Sequence, residues 1–209
     1  MRHAKTDLQT LLRLACEDPV LLAGVSLSRL LEASVGDVLQ TRVLFQELRP
    51  PDAAMPELVL DQWEPVLDRR ALLQAAGSGM AYLYVHALIV PSTVPVNLYI
   101  RLLQGEEPLG PIIQALRLPT FREVIAHGRV PLEEIADRSV AESFGADLSA
   151  DVLYRTSLLY LNRRTPCATM RITEMLPVAF VYEQDGCMAL VSGATRRERD
   201  LQEEYAHET

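Results

Sequence analysis

Apolar and polar residues alternate with a period of two along several stretches of the chain, and this period predicts strands. The clearest stretch is 167–174. There Ala168, Met170, Ile172 and Glu174 share one side, and Cys167, Thr169, Arg171 and Thr173 share the other. Residues 154–161 form a second such run, and Asn162, Arg163, Arg164, Thr165 and Pro166 between the two read as a solvated hairpin tip. A tip centred on Arg164 and Thr165 pairs Leu161 with Ala168, Leu159 with Met170, Ser157 with Ile172 and Arg155 with Glu174. Glu174 is then a carboxylate on the apolar side of a strand, which is costly unless it is paired, hydrogen-bonded or open to a cavity. The plain reading, an edge residue where the strand leaves the core, stands beside the functional one.

The same pattern predicts a strand over 38–48 and a hairpin of strands over 69–75 and 80–90 around Ala76, Gly77, Ser78 and Gly79. In the second of these, Tyr82, Tyr84 and His86 share one face and Leu83, Val85 and Ala87 the other, so His86 reads as a polar-face residue. A helical period predicts helices over 7–15 and 20–33 with a break at Asp18 and Pro19. It predicts another from Pro95 to Gly105 with Leu98 and Leu102 on its buried stripe, and one carrying Ile112, Ile113 and Leu116 after the turn Pro108, Leu109, Gly110, Pro111. A further helix is expected to start at Pro131, with Glu133 and Glu134 in its first turn, and to finish before Gly145. Residues 121–130 fit a strand or a helix, and 55–67, with Trp63, read as a connecting segment. Asp185 and Gly186 mark a last short hairpin.

Composition narrows the function classes. With 209 residues and a hydrophobic fraction of 49%, the chain suits one substantial core. A charged fraction of 23% without low-complexity tracts argues against a disordered scaffold. We expect a single domain over 1–192 and a charged tail over 193–209. No apolar run reaches the roughly 20 residues that a membrane helix needs, and the first residues lack a secretory apolar run, so a cytoplasmic protein is expected. A net charge of -8 disfavours nucleic-acid binding as a main activity. It also means that a small anionic ligand must be held by specific arginines against the overall field. Cys16, Cys167 and Cys187 form no CxxC spacing, and His3, His86, His127 and His207 form no ligand pattern, so neither a disulfide framework nor a metal site is expected.

One set of motifs resembles a known family. Arg70 in a strand is followed by the stretch 102–110 with its Pro-Leu-Gly turn, and then by a hairpin closing on Ile172, Thr173, Glu174, Met175, Leu176 and Pro177. This order is similar to that of the chorismate pyruvate-lyase family over roughly residues 25–178. The resemblance implies a single α/β domain of α+β type, an antiparallel sheet with helical flaps over a buried ligand site. It implies a carbon-oxygen lyase that removes pyruvate from chorismate to leave the aromatic product 4-hydroxybenzoate, without metal or organic cofactor. It assigns Arg70 to the ligand carboxylate, Leu109 and Gly110 to the wall beside the ligand, and Glu174 to the ring hydroxyl, with Arg70 and Glu174 as the catalytic pair. Arg155 is left as either a structural partner of Glu174 or a direct ligand contact. Val35 stands at a ligand-contacting position where the family's best-known members have methionine. Arg155 is also all that remains of the family's arginine-rich approach to the last hairpin, and the chain continues from Val178 to Thr209 past the family's usual strand end.

The chemistry fits these residue types. A ligand carboxylate calls for a bidentate guanidinium, and a partly buried carboxylate suits orienting a hydroxyl or moving a proton. The second reading is a non-enzymatic module that binds a small aromatic acid, because UTRA-type effector domains of transcription regulators share this general fold. The lack of a basic helix-turn-helix ahead of the domain weighs toward the enzyme. Either way the expected partner is a small molecule, with no nucleic acid and no membrane span, and the protein is expected to be a monomer or homodimer.

Overall fold

The computed structural model describes residues 27–35, 37–51, 55, 57–58, 64–105, 107–161 and 168–178. The expected helix over 7–15, the hairpin tip at 162–166, the last hairpin, the charged tail, Trp63 and all three cysteines lie outside them. The described residues form one α+β domain. Its strands are β1 (Leu39–Arg49), β2 (Val66–Ala75), β3 (Ala81–Ile89), β4 (Phe121–Pro131), β5 (Asp151–Tyr160) and β6 (Met170–Pro177). They make a single six-stranded sheet in the order β1-β2-β3-β6-β5-β4, antiparallel at every pairing. Four helices accompany it among the described residues: α1 (Leu27–Val35), α2 (Val96–Gln104), α3 (Leu109–Ala115) and α4 (Arg138–Phe144).

Each element follows from its residues. Strands β5 and β6 pair in the register that the alternation predicts, Arg155 with Glu174, Ser157 with Ile172 and Leu159 with Met170. The ambiguous 121–130 stretch is strand β4, whose exposure alternates along its length as an edge strand's does. Pro95 sits at the N-cap of α2, and Leu98 and Leu102 are its buried stripe. Gly105 closes the helix at φ 76°, a left-handed turn in which a side chain is strained. The helix expected at Pro131 differs. Leu132–Glu134 is a 3-10 turn, with the Leu132 and Glu133 amides donating to Ala150 and Leu148, and the true helix α4 begins later. Asp137 starts it by accepting from the Ser139 and Val140 amides. A side-chain cap outweighed the proline and glutamate signal.

The sheet is covered on both faces. On one, α1 packs Leu27, Leu30 and Leu31 against Leu73, Leu83, Leu153 and Leu176, while α2 and α3 set Leu98, Leu102 and Ile112 on Ala87, Ile89, Met170 and Ile172. On the other, α4 and the 3-10 turn cover Leu72, Tyr84, Val152 and Met175, and Met55 and Leu58 cover Leu88 and Leu158. The central strands are therefore buried on both sides, as β2 is along nearly its whole length.

Candidate functional site

The helical layer of α1, α2 and α3 leaves a cavity of about 60 Å³ above the sheet. Small and branched residues of the central strands make its floor: Ala71, Val85, Ala87 and Ile172. Pro108, Leu109 and Gly110, the turn that opens α3, close one side together with Ile113. The polar groups on its wall are Ser28, Thr41, Arg69, Arg122 and Glu174.

Glu174 is 6% exposed. Its Oε2 accepts from Arg122 Nη1 at 2.7 Å, from Arg155 Nε at 3.0 Å and from Arg155 Nη2 at 2.6 Å. Burial pushes the carboxyl up, but the charges and hydrogen bonds of Arg122 and Arg155 together outweigh it and hold the group below the usual carboxylate range. Glu174 is thus an ionised acceptor. A proton shuttle near neutral pH needs the opposite shift.

Arg69 reaches the cavity from β2. It is 5% exposed, its Nε donates to Gln46 Oε1 at 3.0 Å, and its Nη2 has no hydrogen-bond partner among the described residues. Burial draws its pKa below the ordinary guanidinium value. Thr41 Oγ1 on the cavity wall and, beside it, Arg155 Nη1 and Ser157 Oγ are likewise buried without partners among the described residues. Three guanidinium groups, those of Arg69, Arg122 and Arg155, thus converge on a region whose only acid among the described lining residues is Glu174.

Of the residues singled out in the sequence, Glu174, Leu109 and Gly110 meet at this cavity, and Arg155, not itself a lining residue, holds Glu174 from the neighbouring strand β5. Arg70 does not join them. It pairs with His86 across the β2–β3 ladder and lies on the opposite face, where its Nη2 donates to Asp68 at 3.3 Å and its guanidinium stacks over Phe45. The side chain that faces Glu174's side is its neighbour Arg69. Val35, the last residue of α1, packs against the Leu27–Leu31 cluster and is not among the lining residues. Arg69, Arg122, Ser28 and Thr41 were not anticipated. Arg122 becomes legible only once β4 is laid beside β5, where it pairs with Leu159. Among the described residues no group of three His, Cys, Asp or Glu side chains is placed to hold a metal ion, and no helix is long and apolar enough to cross a membrane.

This fold is that of the effector domains of transcription regulators. PhnF from Mycobacterium smegmatis superposes with a TM-score of 0.56 at 14% identity over 74% of this chain, which spans 64% of that regulator's length. The effector domain of PhnF alone gives 0.55 at 15% identity, covering 73% of this chain and 88% of the domain. The C-terminal domain of the histidine utilization repressor from Pseudomonas syringae pv. tomato gives 0.50 at 9% identity over 72% and 98%. No family model matches the chain, and no curated protein matches it. The shared fold bears out the α+β, lyase-like and UTRA-like architecture. The lyase assignment is corrected: the structures named here that share the fold are a regulator and regulator domains, and none of them is a lyase. The expected chorismate, pyruvate and 4-hydroxybenzoate chemistry has no support beside a Glu174 locked between arginines and an Arg70 on the far face.

Proposed function

We propose that the domain is a ligand-binding module and that its cavity, widened from about 60 Å³ by an outward shift of the helices α1, α2 and α3, takes a small organic acid such as a short aromatic carboxylate. The observation that carries this reading is the surplus of cations, the buried guanidinium groups of Arg69 and Arg155 and the half-buried one of Arg122 to one carboxylate, with Arg69 Nη2 and Thr41 Oγ1 unpartnered among the described residues. Buried donors are costly until an acceptor meets them, and an anion supplies both charge and acceptors. In this reading the ligand carboxylate lies on Arg69 and Thr41, and the ring rests on Ala71, Val85, Ala87 and Ile172 beneath Leu109, Gly110 and Ile113. Arg122 and Glu174 meet a polar substituent at the far end. Arg155 positions Glu174, and Arg70 is left to the other face.

Calorimetric titration with benzoate, and with benzamide as its uncharged counterpart, tests the reading. Benzoate is expected to bind and benzamide to bind at least about tenfold more weakly, with Arg69→Met removing the difference. Equal affinity for the two, or benzoate binding unchanged in Arg69→Met, would overturn it.

A further inference from the structure

Strand β1 is an edge of the sheet: β2 pairs with one side of it, and no described strand covers the other. Five of the eight exposed large apolar side chains among the described residues lie on β1 or on the helix above it. Phe45 and Leu48 belong to β1, and Val96, Ile100 and Leu103 form a stripe along α2. The C-terminal end of α2 lies over β1, since Gln46 Nε2 donates to the Leu103 carbonyl and a side chain at Gly105 would meet Val43. A long edge with an apolar layer beside it is a place for a further strand to add.

The register of β1 says which strand fits. The Val38 carbonyl accepts from Ala76 on the inner side, so Thr41 and Val43, of the other parity, turn their N–H and C=O groups outward. A bulge at Leu44 shifts the parity by one, and beyond it Gln46 and Leu48 face outward in the same way. A second copy related by a two-fold axis perpendicular to the sheet, between Leu44 and Phe45, runs antiparallel to the first. Val43 then stands opposite Gln46 of the second copy and Thr41 opposite Leu48 of the second copy, so outward groups meet outward groups. On the face of the sheet that carries His86, the same axis sets Arg42 opposite Glu47 twice and brings Leu44 and Phe45 together at the centre. Arg42 and Glu47 share that face, because they pair with Leu72 and Asp68 across the β1–β2 ladder. Both are exposed, and neither has a partner among the described residues. Opposed residues of an antiparallel pair stand about 4.5–5.5 Å apart at Cβ, within reach of an ion pair.

Charges and a bulge on an edge also serve to keep sheets apart. Matching distinguishes the two uses, and in β1 the signs are opposite at opposed positions and no proline interrupts the strand. The other edge, β4, shows the contrast. Its bulge between Val124 and Ala126 shifts the parity too, and the two axes beside it that keep faces matched set Arg122 against His127 or against Arg129.

We propose that β1 is the edge through which two copies of this chain dimerise, joining two sheets into one. Two Arg42–Glu47 ion pairs cross the seam on one face, and on the other the apolar stripes of the two α2 helices flank the axis. The proposal stands apart from the small-acid reading.

Sedimentation equilibrium of the whole chain is the test. The chain is expected to be a dimer at roughly 100 μM, and Glu47→Arg and Arg42→Glu each to weaken self-association by at least about tenfold, because each sets like charges opposite one another twice. An equimolar mixture of the two variants is expected to recover the dimer, since every opposed pair across the mixed seam is again of opposite sign. Ile125→Glu, on the β4 edge, is expected to leave the dimer unchanged. Circular dichroism checks the fold of each variant. If one of the two does not fold, the other carries the test together with the double exchange Arg42→Glu/Glu47→Arg, which restores opposite signs within one chain and is expected to dimerise. A chain that is monomeric at that concentration overturns the proposal, as does a dimer that the folded single variants leave intact. It is overturned equally if neither the mixture nor the double exchange recovers the dimer, or if Ile125→Glu abolishes it.

Discussion

Glu174→Gln is the substitution whose effect the structure fixes most tightly. The amide keeps the shape of the side chain and one oxygen to accept from Arg122 and Arg155, but it removes the only negative charge among the described cavity residues. Arg155 is already short of a partner at Nη1, and Arg69 at Nη2, among the described residues. Removing one partner of a buried ion pair costs about 3–5 kcal/mol, because the charge left behind is neither solvated nor compensated. For a chain of this size each kcal/mol lowers the melting temperature by about 2–4 °C, so the variant is expected to melt about 6–20 °C lower. Urea unfolding followed by circular dichroism at neutral pH reads the difference directly, with an unchanged slope showing that the same surface is exposed. The pH dependence has a definite sign. The carboxyl's folded pKa lies below the ordinary 4.5, so its contribution is complete above 4.5 and is lost as the pH falls through the folded value. The gap between wild type and Glu174→Gln is therefore expected to close in acid. A loss under about 1 kcal/mol at neutral pH, the level of a solvent-exposed pair, would refute the idea that Glu174 neutralises a buried cationic cluster.

Three further outcomes follow from the other face and from the turns. Asp68→Asn, which takes the charge from under Arg49, Arg70 and His86, is expected to cost about 2–3 kcal/mol in urea unfolding, less than Glu174→Gln because its arginine partners are partly in water. Burial draws the His86 imidazole below its ordinary 6.5, against the pull of Asp68. The unfolded chain therefore binds that proton first, and stability should fall as pH drops below 6.5, a slope that His86→Leu reduces. Gly105→Ala places a methyl in a left-handed turn with Val43 Cγ2 at 3.2 Å, whereas Gly145→Ala meets the same backbone strain with open space around it. Melting curves should show both variants destabilised by about 1–2 kcal/mol, with Gly105→Ala the worse.

The alternation along 167–174 carried enough to place Glu174 on the apolar side and to find its partner. Strand β6 has a polar residue at every other position of its first half, and one register of the hairpin sets every apolar pair on one face. The Pro95 and Gly105 signals likewise bounded α2, because a proline start and a left-handed stop are local chemistry. The register of β4 was out of reach. It depends on a bulge between Val124 and Ala126 and on pairing with β5 across the helical connection 132–150 instead of a tight turn, so nothing local marks Arg122 as a partner of Glu174. The start of α4 was misplaced for a related reason, since the Leu132 and Glu133 amides donate to Ala150 and Leu148, contacts that exist only in the folded chain.

The exchange of Arg70 for Arg69 follows from how a sheet covered on both sides is written in sequence. Where one face meets water, polar residues mark it and the period of two assigns every side chain. Strand β2 is covered on both faces, so Leu67, Asp68, Arg69, Ala71 and Leu72 are all buried, and two adjacent arginines offer no contrast to say which points where. The contrast lies one strand over. Tyr84 and His86 stand on one side of β3 and Val85 and Ala87 on the other, and the β2–β3 register pairs Arg70 with His86 and Arg69 with Ala87. A hairpin register therefore resolves what the single strand cannot, in β2 as it did for Glu174 in β6. It also separates the two chemistries of the domain, since adjacent residues of one strand serve opposite faces. Arg69 serves a cavity with excess positive charge, and Asp68 and Arg70 serve the cluster around His86. Comparing the two substitutions, Arg69→Met against Arg70→Met, is the sharpest check on that division. The first is expected to weaken benzoate to the level of benzamide with little loss of stability, because Arg69 has no carboxylate partner among the described residues to leave behind. The second is expected to leave benzoate binding intact. The opposite pattern would put the acid site on the wrong face of the sheet.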